Sequence, residues 1–342
     1  MESTGRKHTG VQANTFRPAW WLPGAHAQTI AGRLLRRPRP LPLRRERIEL
    51  PDGDFVDLDF APSAADAAPL VLLLHGLEGS ARRGYAYLTY AALARRGLSA
   101  VGLNFRSCSG EPNRQPRFYH SGDTEDLRYV LHHLRRTGRP VSGAIGFSLG
   151  GNVLLKFLGE EEERGPDVLH AAVAVSVPYD LSAGADALAA TVMGRFYTGV
   201  FLKSLIPKVE AIANRAKVDH ERIRAAVTFR DFDDAATAPL HGFRDAADYY
   251  ARSSSAAFLE KIRVPALLVH SEDDPFLPGE RLPREAITRN PCLQTAFVPR
   301  GGHVGFIGGS PWAPVWWAES RAAAFLADTF VADRLDASRA DG

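Results

Sequence analysis

The hexapeptide Gly146-Phe147-Ser148-Leu149-Gly150-Gly151 carries a serine in a setting that can make it a nucleophile. It fits G-x-S-x-G, with the apolar run Val141 to Ile145 before it and the amphipathic stretch Asn152 to Leu158 after it. That is the strand–turn–helix context in which the motif has mechanical meaning. A turn this tight strains the serine backbone and leaves room only for small neighbours, which Gly146, Gly150 and Gly151 supply.

An activated serine needs a base, a group that orients the base, and donors for an oxyanion. The expected chain order is serine, acid, histidine. Ser271-Glu272-Asp273-Asp274-Pro275-Phe276-Leu277-Pro278 follows the apolar run Ala266 to His270, so a carboxylate there reaches the end of a late strand. Asp273 and Asp274 both qualify; Asp274, just before proline, suits the turn better. Gly301-Gly302-His303-Val304-Gly305-Phe306 places a histidine in a bendable loop after the last strand, which makes His303 the expected base. The oxyanion donors are expected to be the N–H of Leu149, which opens a helix, and of Leu77 in the loop His75-Gly76-Leu77-Glu78-Gly79. His75 is read as shaping that loop. His132 and His133, between Leu131 and Leu134, are read as partly exposed helix residues.

These residues need a scaffold. The apolar runs Leu70–Leu74, Leu98–Phe105, Val141–Phe147, His170–Val177, Pro265–His270 and Thr295–Val298 alternate with helical segments. The helices are expected at Tyr85–Arg96, Asp123–Arg136, Leu149–Glu162, Arg281–Thr288 and Pro314–Phe330. Continuous apolar strands separated by helices imply a mainly parallel sheet covered on both faces. Ahead of them, Arg47–Leu50 and Phe55–Phe60 form a hairpin around Pro51-Asp52-Gly53-Asp54. Val56, Leu58 and Phe60 alternate there with Asp57 and Asp59, the pattern of a half-exposed edge. The alternation breaks from 181 to 259, a helical insertion expected to act as a cap or lid. Within it Phe196, Tyr197, Phe201 and Leu205 recur at helical spacing and are candidate walls of an acyl pocket. The expected organisation is an N-terminal arm over 1–45, partly disordered (residues 1–13 above all), a core over 46–180 and 260–335, and a disordered tail over 336–342. Trp20 and Trp21, beside prolines, read as an arm laid over the domain surface.

Composition sets the bounds. The chain has 342 residues, 45% hydrophobic and 24% charged, with a net charge of +3. This is ordinary for a globular enzyme and gives little reason to expect nucleic acid. Arg33, Arg36, Arg37, Arg39, Arg44, Arg45 and Arg47 crowd near the N-terminus, a solvated arm that also leaves room for peripheral contact with an anionic membrane. Cys108 and Cys292 make no disulfide framework and suit a reducing, cytoplasmic setting. Met1 to Val11 is polar, without the apolar core of a signal peptide, and no transmembrane run is present. His120 with Asp123 has no ligand spacing around it, and no G-x-G-x-x-G follows a strand; neither a metal nor another cofactor is expected.

The chain resembles the α/β-hydrolases, and within them the bacterial YheT-like hydrolases grouped with plant EMB8-like and animal ABHD1/ABHD3-type proteins. The resemblance runs from about Phe16 to about Phe330. It rests on Pro18-Ala19-Trp20-Trp21-Leu22, His26-Ala27-Gln28-Thr29-Ile30, His75 to Ser80, Asn104-Phe105-Arg106, Gly110 to Arg114, Tyr119 to Asp126, Gly146 to Asn152, Asp273 to Phe276 and Gly301 to Phe306. It implies an α/β-hydrolase fold, with a mainly parallel sheet of about eight strands and a helical lid insertion. It also implies a Ser148, Asp274, His303 triad and action on carboxylic esters. The expected substrates are short- to medium-chain acyl esters, with acylglycerols or other lipid-like esters as a further class. Cys108-Ser109-Gly110 departs from the Cys-Gly-Gly usual in relatives. The rival readings are an acyltransferase with the same triad and a non-catalytic binding protein on this fold. A dehalogenase would need a carboxylate at position 148. Substrate identity and oligomeric state are not set by the sequence.

Overall fold

The structure is a computed structural model that describes residues 16–63, 65, 67–213 and 218–340. The stretch 1–13, expected to be disordered, and residues 341 and 342 lie outside them.

The apolar runs become the centre of an eight-stranded sheet in the order β1-β2-β4-β3-β5-β6-β7-β8. Its strands are β1 Arg44–Glu49, β2 Phe55–Phe60, β3 Leu70–Leu74, β4 Ser99–Asn104, β5 Val141–Phe147, β6 Ala171–Val175, β7 Ala266–Ser271 and β8 Leu293–Val298. From β4 to β8 neighbouring strands are parallel; β1 and β2 add on antiparallel. Strand residues alternate between the two faces. Leu72, Leu74 and Ala144 join the core on one side, while Val71, Leu73, Ile145 and Phe147 join the core on the other. In the first half α2 Gly84–Ala94, α3 Glu125–Arg136 and α4 Leu149–Glu161 cover the faces, while α1 Gly24–Leu35 packs apart with Ala19 and Ile307. Between β6 and β7 come α5 Leu181–Ala190, α6 Val192–Ala213 and α7 Ala246–Ser253, with shorter helical turns among them. Finally α8 Arg284–Arg289 precedes β8, and α9 Trp317–Ala340 ends the described chain.

Four expectations change. First, β2 is not an edge. It lies between β1 and β4, and Asp57 and Asp59 are buried. Arginines make this tenable: Arg45 and Arg82 each grip Asp59 through two hydrogen bonds of 2.7–3.1 Å, and Arg47 grips Asp57 in the same way. Burial raises the Asp59 carboxyl, but Arg45, Arg82 and Asn104 outweigh it, and the net displacement is downward. Second, part of the N-terminal arm is helical: α1 presents Gln28, Ala31 and Gly32 inward. Third, the segment from Pro314 does not start a helix; Ala313–Trp316 is β10, paired antiparallel with β9 Ile307–Ser310. Fourth, α9 runs to Ala340, through most of the expected tail. Trp21 does lie over the surface, its indole N–H donating to Gly309 O at 3.1 Å.

Candidate active site

The serine sits where β5 turns into α4. Its φ of 51° and ψ of −118° are strained for a non-glycine residue. The surroundings hold it there. The Ser148 N–H donates to Val175 O at 2.8 Å. A Cβ at Gly150 would stand 2.6 Å from the carbonyl oxygens of Leu74 and His75, and one at Gly146 would overlap Gly150.

The other two loops meet the serine at the carboxyl ends of β7 and β8. His303 Nε2 lies 2.9 Å from Ser148 Oγ, and His303 Nδ1 lies 3.0 and 2.9 Å from the two Asp274 oxygens. An Nδ1–H donated to the carboxylate leaves Nε2 free to accept from the serine hydroxyl. Burial pushes the Asp274 carboxyl up, but His303 and the Phe276 N–H outweigh it and hold it below its ordinary value. The two candidate acids divide their work: Asp274 faces the imidazole, while Asp273 accepts the N–H groups of Gly301 and Gly302 at 2.8 and 2.9 Å. Phe276 stacks on the His303 ring, centroids 4.0 Å apart and planes 22° apart.

The loop after β3 runs beside the serine; a Cβ at Gly76 would be 3.2 Å from Ser148 Cβ. His75 is buried, with Nδ1–H donating to Gly76 O at 2.8 Å and Nε2 accepting the Phe105 N–H at 3.2 Å. Burial lowers its pKa to about 3, so it is neutral and structural. Tyr85 Oη accepts the Gly76 N–H and Tyr119 Oη the Glu78 N–H. The Leu77 N–H between them meets no acceptor among the described residues. The Leu149 N–H is the first of α4 and has no intrahelical partner. Glu78 is in turn bound by Lys208 of α6 at 2.5 Å, and Lys208 also reaches Cys108 Sγ at 3.4 Å. Burial raises the Cys108 thiol to about 11, which keeps it protonated.

A cavity of about 780 Å³ opens at Ser148 and His303. Phe196, Tyr197, Phe201 and Leu205 all line it, as do Leu77 and Leu149. Phe229, Phe232, Tyr249 and Tyr250 extend the wall, which also carries the polar Ser121, Asp233 and Thr237. Among the described residues no group of three or more His, Cys, Asp or Glu side chains is placed to hold a metal.

Residue reasoning missed the support given by α1. Gln28 pairs with both backbone groups of Ile307, its Nε2 donating to the C=O at 3.0 Å and its Oε1 accepting the N–H at 2.8 Å. Thr29 Oγ1 accepts the His303 N–H at 2.9 Å, and Arg36 donates to Gly305 O at 2.9 Å and pairs with Glu319. Gln28, Gly32 and Arg36, four residues apart, are the signal that would have shown this face. Phe276 and Lys208 were also missed, and no local spacing marks either.

Residues 69–310 match the alpha/beta hydrolase fold family. The chain is similar to YheT of Escherichia coli (strain K12), 38% identical over 312 residues, covering 90% of this chain and 91% of that one. It is similar to phospholipase ABHD3 of Mus musculus, 30% identical over 314 residues, covering 88% of this chain and 75% of that one. Among solved structures, the esterase Pf2001 of Pyrococcus furiosus shares the fold with a TM-score of 0.52 at 17% identity, covering 77% of this chain and 84% of that one.

Proposed function

This chain belongs to the alpha/beta hydrolase fold family and is a hydrolase of the esterase–lipase type, and from that premise we propose that it cleaves carboxylic esters through Ser148, His303 and Asp274. The observation that carries the reading is one hydrogen-bonded line, Ser148 to His303 to Asp274, opening on a largely apolar cavity. Its volume of about 780 Å³ lies within the ~300–1,000 Å³ usual for small-molecule sites.

Ser148 Oγ attacks the ester carbonyl while His303 Nε2 takes its proton. Asp274 keeps the imidazole in the Nδ1–H tautomer and offsets the charge of the imidazolium; its lowered pKa keeps it ionised throughout. The tetrahedral oxyanion lies between the free N–H groups of Leu77 and Leu149, each worth roughly 3 kcal/mol in the transition state. His303 then gives its proton to the departing alkoxide oxygen. Water, deprotonated by His303, attacks the acyl-serine and releases the acid. The acyl chain lies against Tyr197, Phe201 and Leu205, with Phe196 near the opening. The apolar wall favours short- to medium-chain acyl esters, with acylglycerols and phospholipids as lipid candidates. The N-terminal arm and the helical cap over 181–259 are proposed as separate functional parts around the core.

The test is turnover of p-nitrophenyl esters from acetate to palmitate by the wild type and by Ser148→Ala. Chain-length-dependent hydrolysis that vanishes in the variant is expected. Equal rates in both proteins, or none across the series, would sink the reading. Adding a small alcohol and analysing products separates hydrolysis from acyl transfer.

A further inference from the structure

Two helices flank the mouth of the cavity, and both turn apolar side chains to solvent there. On α1, Ile30 and Leu34 stand one turn apart; on α6, Val192, Phe196 and Val200 do the same. All five are exposed, Leu34 by 55%, Phe196 by 56% and Val192 by 75%. Ile30, Leu34, Phe196 and Val200 also line the cavity. The two stripes are therefore its lips, and an exposed apolar surface of this kind marks an interaction site.

Several cations around the lips have no ion-pair partner among the described residues. Of the seven arginines crowded near the N-terminus, Arg36, Arg44, Arg45 and Arg47 are ion-paired with Glu319, Glu46, Asp59 and Asp57. Arg33 on α1 and Arg37 just past its end are not, among the described residues. Neither are Arg83 beside the Leu77 loop, nor Arg195 and Lys203 flanking the α6 stripe, among the described residues. Arg37, Arg83 and Arg195 reach only the carbonyls of Leu34, Glu78 and Ala189. The two acids lining the cavity are occupied, Glu78 by Lys208 and Asp233 by Thr237 and Tyr250.

We propose that this rim docks the protein on an anionic phospholipid bilayer. The apolar lips enter the boundary between headgroups and acyl chains, and the unpaired cations lie against the phosphates. The cavity mouth then opens onto the lipid, so an apolar ester enters without crossing water. A second copy of the chain is a poorer occupant, because an isologous pair would face these cations with themselves.

The test mixes the purified full-length chain with phosphatidylcholine vesicles, with and without phosphatidylglycerol, and reads the bound fraction by flotation. Binding is expected on the anionic vesicles, weakening as salt rises. The variant Val192→Asp, Arg37→Gln alters two residues outside the cavity wall. It is expected to partition at least about ten-fold more weakly, while hydrolysis of a dissolved short-chain ester stays unchanged. Equal binding of variant and wild type, no preference for anionic vesicles, or a solution dimer that the variant dissolves would overturn the proposal. Binding is read without turnover, and on Ser148→Ala as well, so the result stands apart from the ester-hydrolase reading.

Discussion

Replacing Gln28 should loosen the His303 loop from 279 residues away in sequence. Gln28 is 1% exposed, and both ends of its amide are used by Ile307. The Ile307 C=O keeps a second partner, the Ala19 N–H at 2.8 Å, but the Ile307 N–H has no other acceptor. Gln28→Met therefore leaves one buried donor unpaired at about 1–3 kcal/mol and removes a second hydrogen bond worth about 1 kcal/mol. It keeps the side-chain volume. Gln28→Ala adds the loss of roughly two buried methylenes at about 0.8 kcal/mol each. The expected cost is about 3 kcal/mol for Met and about 4–5 kcal/mol for Ala. Because the loop carries His303, the proposed base, a shift of its backbone by about 1 Å should also lower kcat/KM by up to ~10²-fold. Urea unfolding and ester hydrolysis measured on the same preparations separate the two effects. If Gln28→Met unfolds within about 0.5 kcal/mol of the wild type and keeps its kcat/KM, then α1 does not hold the base loop.

Three further outcomes follow from other contacts. Lys208→Met strands a nearly buried Glu78 carboxylate and should destabilise by about 3 kcal/mol, with most of that recovered in Lys208→Met, Glu78→Gln; a double-mutant cycle by urea unfolding reads the coupling. Phe276→Ala removes the ring face stacked on His303. It should lower kcat by roughly ten-fold as the imidazolium loses that contact, while Phe276→Tyr should retain most of it in steady-state assays. Burial raises the Asp233 carboxyl to about 6, opposed by Thr237 and Tyr250. A carboxyl raised in the folded state contributes stability below its unfolded pKa near 3.9 and loses it as pH rises through the folded value. Wild type should therefore lose roughly 2 kcal/mol relative to Asp233→Asn between about pH 4.5 and about pH 8, read from urea midpoints; parallel pH profiles would refute this.

The parts legible in the sequence are those where local chemistry and global position agree. Leu70–Leu74 is apolar throughout and Val141–Phe147 carries one polar residue, Ser142, the pattern of strands buried on both faces. Ser148, Asp274 and His303 follow β5, β7 and β8, and the sheet order brings the ends of those strands to one side. What escaped depends on partners distant in sequence. Asp57 and Asp59 look like solvent-facing residues until Arg45, Arg47 and Arg82 arrive to cover them. The inward face of α1, Gln28, Ala31 and Gly32, with Arg36 just past its end, shows no apolar periodicity. β10 reads as the start of α9 because Val315, Trp316 and Trp317 run on without a break. Asp273 and Asp274 differ only in which way each side chain turns, and that is set by the loop of His303.

The hold of α1 on the His303 loop also orders events during synthesis. Gln28 leaves the ribosome long before Ile307, and Arg36 waits for Glu319. Closing a loop of 279 residues by itself would cost roughly 5 kcal/mol in chain entropy, so α1 can settle only once the sheet has drawn the two ends near. The nascent chain can form its elbow and its sheet while the histidine is still undocked. On the proposed mechanism Ser148 is therefore armed only once α1 and the His303 loop have met, and a nascent chain that has reached only β7 carries the serine without Asp274 or His303.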